Sequence, residues 1–355
     1  MTYGEFANMY EASELVVAPA YQRLFRWNPS QKSRFIESIL LGIPTPALFV
    51  AETEDGIWEL VDGLQRLSTV LEFFGVLKDA DSKLMPASTL VADDSSVLPA
   101  LDGATLDALS LRSRLSIRRA GCRVEVVKVG SGRRMKYDLF ERLNTGGAQL
   151  TEQEIRNCIF RAEAPDLMDY FDRLAQEDVF QSHLGLSDNQ QKSLYDRGLV
   201  LRFFALKNDI EEFRHDVEPF VTEYVHKVVD NKLDFDQDAE QAVFRRTMSL
   251  IAEALGDGAW RHIASDGEAK GAFSVYVFEA LALAVARNIE VVGQLSVEEI
   301  RERCNGVKVD TEFKEACGAG RNTRPHLLKR LAAAERIILN DQQVEARDDD
   351  ADAGK

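Results

Sequence analysis

Hydrophobic spacing divides the chain into a mixed first part and a helical remainder. Ile57-Trp58-Glu59-Leu60-Val61 alternates apolar and polar side chains like a half-buried strand. Leu67, Val70, Leu71 and Phe74 then recur at helical spacing until Gly75. Between the two patterns lies Asp62-Gly63-Leu64-Gln65-Arg66, a strand-to-helix turn. Leu15-Val16-Val17 and residues 47–51 predict two more short strands, and the valine-rich stretch 122–129 a fourth. A helix is expected from Ser30, with Ser30 as its cap and Phe35, Ile36, Ile39 and Leu40 as its apolar stripe. Gly42-Ile43-Pro44-Thr45-Pro46 ends that helix, and Asp55-Gly56 makes a tight hairpin turn. Residues 78–103 are polar and rich in Pro, Asp and Ser, and predict an insertion loop with little core. Further helices are expected near 133–143, 151–163, 165–176, 190–207, 214–231, 236–255, 270–288, 296–304 and 322–340.

The order of these elements predicts an α+β chain. A small mixed α/β domain spans residues 1–150, an all-α helical domain 151–342, and an acidic tail 343–355. The tail, with Asp348-Asp349-Asp350-Ala351-Asp352, reads as disordered. At 355 residues the chain exceeds the usual size of one core, which favours two subdomains. Apolar residues make up 45% and charged residues 29%, the balance of a soluble globular protein. No stretch approaches the roughly 18 apolar residues of a membrane span, and Glu5, Glu11 and Glu14 do not suit a signal peptide. Cys122, Cys158, Cys304 and Cys317 lack metal-type spacing and read as reduced thiols, so a cytoplasmic protein is expected. The net charge of −16 excludes a globally basic nucleic-acid binder but leaves room for a local basic groove.

Three constellations carry chemistry. In the turn 62–66, a helix N-terminus offers free backbone N–H groups and the positive dipole end, which suits a phosphate. Arg66 can add a bidentate grip. The purely structural alternative is that Asp62 caps the helix and Arg66 pairs with Asp62. The second constellation, Phe140-Glu141-Arg142-Leu143-Asn144-Thr145-Gly146-Gly147, ends a helix in a two-glycine turn. Thr151 and Glu154 have capping-box spacing just beyond it, so helix capping and anion contact are both open. The third, Tyr21-Gln22-Arg23-Leu24-Phe25-Arg26-Trp27, could stack on a base and hold phosphate, or pin the N-terminal arm to the core. Arg112, Arg114, Arg118, Arg119 and Arg123 form a basic run that either faces DNA or balances the acidic loop before it. His183, His215, His226, His262 and His326 are isolated from one another, and no metal-ligand cluster is visible.

These blocks carry a resemblance. Pro19-Ala20-Tyr21-Gln22-Arg23 with Trp27, then Ser38 through Pro46, then Val61-Asp62-Gly63-Leu64-Gln65-Arg66-Leu67-Ser68-Thr69 resemble the N-terminal domain of GmrSD-type restriction enzymes. Phe140 through Gly147, followed by Leu150-Thr151 and Glu154-Ile155-Arg156-Asn157, is similar to that family's next block, and Asn322 to Leu339 resembles its closing helix. The resemblance implies a ParB/sulfiredoxin-like fold whose strand–turn–helix binds nucleotide phosphates, and a role in bacterial defence against phage or modified DNA. The family usually has a glutamine where this chain has Leu64, so a polar contact is missing. The His-rich nuclease domain that many relatives carry at their C-terminal end is not recognisable in these residues.

Three readings follow. In the first, the protein binds and hydrolyses a nucleoside triphosphate with Mg²⁺ to control a separately encoded effector. Tyr21, Gln22, Arg23, Gly63, Arg66, Arg142, Asn144, Gly146 and Gly147 would surround the phosphates, and Asp62, Gln65 and Arg66 would carry turnover. In the second it is a metal-dependent DNA nuclease using Glu37, Asp62 and Glu141. In the third it is a non-enzymatic regulatory or antitoxin-like subunit whose acidic surface covers a basic partner.

Overall fold

The computed structural model describes residues 1–17, 27–53, 55–79, 82–127, 151–264, 267–318 and 320–340. The chain divides into two units, Met1–Glu163 and Ala164–Lys355. It is α+β, with a small mixed sheet in the first unit and helices dominating the second.

The first unit opens on helix α1 (Tyr3–Glu11), whose Thr2 and Glu5 form a reciprocal capping box. One face of α1 buries Tyr3, Phe6 and Ala7. Strand β1 (Leu15–Val16) follows, then α2 (Pro29–Leu40). The cap of α2 is Asn28 rather than Ser30: Asn28 and Gln31 exchange hydrogen bonds of 2.9 Å. Pro29 already holds the backbone angle of the first helical residue, so Ser30 falls inside the first turn. Strands β2 (Leu48–Glu52), β3 (Trp58–Asp62) and β4 (Val124–Val127) complete a four-stranded sheet in the order β1-β3-β2-β4. The β2–β3 pairing is antiparallel, and the β1–β3 and β2–β4 pairings are parallel. Helix α3 (Leu64–Phe73) leaves β3 at the turn, and α4 (Leu111–Arg119) precedes β4.

The core gathers Phe6, Ile36, Leu48, Val50, Leu67, Leu71 and Ile117. The polar stretch 78–103 contributes more than the little core expected of it. Leu90 is only 4% exposed within that core. Ser33 Oγ of α2 accepts the Val91 N–H at 2.7 Å, and Glu37 Oε1 accepts the Leu98 N–H at 2.8 Å. Side chains of α2 thereby satisfy loop N–H groups, which lets a strap without regular structure bury a leucine.

In the second unit, helix α5 (Glu152–Glu163) belongs still to the first, and the succession then runs α6 (Pro165–Ala175), α7 (Asp178–Leu184), α8 (Asp188–Lys192), α9 (Tyr195–Asn208), α10 (Val217–Val229) and α11 (Gln237–Leu255). A two-residue hairpin, β5 (His262–Ile263) with β6 (Ala269–Lys270), interrupts the helices. Helices α12 (Val275–Arg287), α13 (Ile289–Val292), α14 (Val297–Val309), α15 (Thr311–Glu315) and α16 (Arg324–Leu339) close the unit. Every residue of α12 from Val277 to Ala286 is buried, which makes it the central helix, packed on α9, α11 and α16. Phe171, Phe204, Phe235 and Phe244 stack edge-on and tilted against one another.

Several helices differ from the spacing-based expectation: Asp178–Leu184 and Thr311–Glu315 fall where none is expected, and the helix expected over 270–288 begins only at Val275, after strand β6. The stretch 190–207 is not continuous: Leu194 takes a left-handed backbone (φ 58°) between α8 and α9. Gln176 and Gln181 both donate to Asp196 Oδ2, at 3.0 and 2.8 Å, and this anchor sets the new helix direction. The helix expected over 296–304 continues to Val309. Gly306 lies against α16, where an added Cβ would sit 3.2 Å from Ile337 Cγ2, so the glycine serves close helix packing.

Candidate functional site: the strand–turn–helix

Asp62 ends β3 opposite Phe49, beside an irregularity between Phe49 and Val50 that frays the β2–β3 register there. Gly63 then turns the chain with φ 99°, a left-handed conformation natural to glycine. A Cβ at Gly63 would fall 2.1 Å from Leu48 Cδ2, so packing demands a glycine as strongly as the backbone does. Helix α3 starts directly afterwards, and no side chain caps it. Asp62 therefore does not cap the helix, contrary to one half of the structural alternative. Its residue is still in extended strand, and its carboxylate turns to Arg66 instead.

Arg66 sits at the centre of the turn. Its Nη2 donates to Asp62 Oδ2 at 2.9 Å. Its Nη1 donates to the carbonyls of Pro46 and Ala47, the latter at 2.9 Å. Three of the five guanidinium donors are thus held inside the fold, and the side chain is 13% exposed. Arg66 acts first as a clasp that fastens α3 to the segment entering β2. The pairing with Asp62 is the half of the structural alternative that holds.

Gln65 is also engaged: its Oε1 accepts the Trp27 N–H at 3.1 Å. Trp27 in turn packs edge-on against Phe35, with ring centroids 5.4 Å apart. The residue that follows the Tyr21–Arg26 arm is therefore tied to the first turn of α3. Leu64, where a glutamine is usual, packs against the hydrophobic core. Thr69 Oγ donates to the Gln65 carbonyl at 2.6 Å, and Lys32 of α2 pairs with Glu72 of α3 at 2.7 Å.

Several expected site residues lie outside the described residues: Tyr21, Gln22, Arg23, Glu141, Arg142, Asn144, Gly146 and Gly147. The capping box beyond them is present, with Thr151 N–H to Glu154 Oε2 at 2.7 Å and Glu154 N–H to Thr151 Oγ at 3.3 Å. The helix it opens, α5, buries Gln153, Glu154, Arg156 and Asn157. This run of buried polar side chains is a feature that spacing alone did not single out, although its signal was the lack of an apolar stripe in Glu152-Gln153-Glu154.

The acids of the nuclease reading do not converge in the described residues. Glu37 is buried and its carboxylate accepts the N–H groups of Val97 and Leu98. Among the described residues no group of three His, Cys, Asp or Glu side chains could hold a metal ion. Four of the five arginines of the run, Arg112, Arg114, Arg118 and Arg119, fall on helix α4, and Arg123 lies beside strand β4. Arg114 pairs with Asp107 at 3.7 Å, Arg118 stacks over Phe74 at 4.8 Å and Arg123 pairs with Glu125 at 2.7 Å. Arg112 and Arg119 stay exposed on that helix. No described helix is long and apolar enough to cross a membrane.

The architecture so assembled is an α+β domain whose sheet feeds an uncapped helix through a glycine turn. Residues 4–161 match the family described as the GmrSD restriction endonuclease N-terminal domain, and the chain carries that domain. The match suggests a restriction-related phage-defence protein. No curated protein and no solved structure matches the chain.

Proposed function

We propose that the first unit binds a nucleoside triphosphate with Mg²⁺ at the turn between β3 and α3, and that the bound state controls a separately encoded defence effector. The observation that carries the reading is the bare start of α3: a ten-residue helix with no side-chain cap, entered through Gly63. The backbone N–H groups of Leu64, Gln65 and Arg66 face the dipole end that favours a phosphate. The match of residues 4–161 to a restriction endonuclease N-terminal domain fits the defence part of this reading. Because Arg66 is clasped to Asp62, Pro46 and Ala47, backbone groups supply the phosphate contact and Arg66 shapes the turn. Arg23 and Asn144, which lie outside the described residues, are proposed as further phosphate contacts on the resemblance alone. Asp62 is the acid at the turn and is already paired, so Mg²⁺ would be held chiefly through phosphate oxygens and water.

Binding is favoured over turnover, since Gln65 holds Trp27 and Leu64 packs into the core. Thermal shift of the full chain with ATP, GTP, CTP and UTP in the presence of Mg²⁺ tests the reading. One nucleotide should raise the melting temperature by several degrees, following the usual mass-action linkage. The Arg23→Ala variant should lose that shift without losing its own stability. Absence of any shift at millimolar nucleotide sinks the proposal. Phosphate release measured on the same samples separates binding from hydrolysis.

A further inference from the structure

The second unit buries a lysine with few partners. Lys308 of α14 is 1% exposed, and among the described residues its ammonium makes one hydrogen bond, to the Gly258 carbonyl at 2.7 Å. An ammonium has three donors, and a charge held in an apolar interior ordinarily finds a carboxylate. Among the described residues Lys308 makes no ion pair, which sets it apart from Arg202 and Arg330, both of which pair with buried Glu279.

Lys308 lines a half-open cavity of about 130 Å³ between α14, the end of α11 and the β5–β6 hairpin. One and two turns earlier on the same helix, Asn305 and Arg301 line it too. The Asn305 side-chain amide has no hydrogen-bond partner among the described residues. Arg301 is held in place by the Ala254 carbonyl at 2.8 Å and by Glu298. The local field is positive: burial lowers the His262 pKa, and the charges of Lys308 and Lys314 lower it further. Burial also pulls the Lys308 ammonium down to about 8, partly opposed by Cys304 one turn away. At neutral pH it therefore remains largely charged.

We infer that this cavity is a binding site for a phosphate-sized oxyanion, received by the spare donors of Lys308 and the amide of Asn305 with Arg301 beside them. An oxyanion there supplies negative charge and acceptors that Lys308 does not find among the described residues, and the volume admits a phosphate group but not a nucleoside. This site is independent of the nucleotide site proposed for the first unit.

Calorimetric titration of the full chain with inorganic phosphate, at ionic strength held constant with chloride, tests the inference. Saturable binding is expected, weakened about tenfold or more in Lys308→Met, the size of effect of losing a charged hydrogen bond. Lys308→Met keeps the side-chain shape and removes a buried charge, so it is expected to fold. If it does not, Asn305→Ala decides the matter, because that variant removes only a half-buried amide. Equal phosphate affinity in wild type and in the folded variant, or no binding by wild type, overturns the inference. Binding of acetate but not phosphate overturns it as well. Nucleotide-dependent thermal shift should be the same in wild type and Lys308→Met, which keeps the two sites distinguishable.

Discussion

Arg66 in the first unit and Arg330 in the second solve the same problem with the same chemistry. Each guanidinium donates to two backbone carbonyls and to one carboxylate. Arg66 uses Pro46, Ala47 and Asp62, the last just across the glycine turn from it. Arg330 uses Ala316, Arg321 and Glu279, with 51 residues between acid and base. The surroundings differ. Asp62 is 36% exposed, whereas Glu279 is 1% exposed and also pairs with Arg202. A local pair at a surface turn can open toward a ligand; a pair sealed among helices can only hold them together. The difference teaches that an arginine in a motif and an arginine in a core cannot be told apart by residue type, only by how far away the partner lies.

The strongest way to break this comparison is to remove Glu279. Glu279→Ala leaves Arg202 and Arg330 buried without their acid and should destabilise the protein by about 3–5 kcal/mol, read by urea denaturation. A loss comparable to that of an exposed pair would show that solvent reaches the network and that the two arginines are alike after all.

Lys308 offers the opposite case, a buried cation with no acid partner among the described residues. Its pKa of about 8 lies below the ordinary lysine value of 10.5. Below about pH 8 the group is charged in both folded and unfolded chains, so its burial cost is fully present. As pH rises from 8 to 10.5 the folded chain releases the proton first, and wild type gains stability relative to Lys308→Met. That gain should approach about 3 kcal/mol by linkage. The Lys308 charge also acts on His262 and Cys304, but His262 is held below its ordinary value and Cys304 is pushed up to about 12 by burial, so neither titrates in the folded chain between pH 8 and 10.5, while Lys314 and Arg301 are common to both proteins. A stability difference flat in pH would mean that water or a counter-ion already neutralises it.

At the turn, Gly63→Ala should cost about 2–3 kcal/mol, from left-handed strain and from overpacking against Leu48. In a Leu48→Ala background the same change should cost less, because only the backbone strain remains. Equal costs in both backgrounds would show that Leu48 moves aside freely and that glycine is needed for φ alone.

How much of this was legible in the sequence follows from distance along the chain. The Asp62–Arg66 pair was readable because an acid and an arginine flank one short strand-to-helix turn, and the strand before it because its side chains alternate. The carbonyl partners Pro46 and Ala47 were not, since nothing local marks a contact twenty positions back. Helix α1 carries a local signal in Thr2 and Glu5, a pair at capping-box spacing. Leu64 stood out as a missing polar group, and the structure gives it a positive role in the core. Glu279 and Lys308 left no trace in pattern: each sits in a helix whose neighbours come from distant segments. The arms at Tyr21–Arg26 and Phe140–Gly147 lie outside the described residues, so that part of the candidate site rests on the resemblance.

The smallest effect is the most discriminating. Arg66→Ala should cost about 2 kcal/mol, less than Glu279→Ala, because water can solvate the Asp62 carboxylate and the two freed carbonyls. Arg66→Lys should recover only part of that, since an ammonium can keep one of the three contacts but not the planar fork that makes them together. If Arg66 is a clasp, nucleotide affinity should fall in both variants in step with the lost stability, and stabilising the turn by other means should restore it. If Arg66→Ala melts like wild type yet no longer binds nucleotide, the guanidinium is a ligand group. In that case its contacts to Pro46, Ala47 and Asp62 are a resting position that it leaves when phosphate arrives.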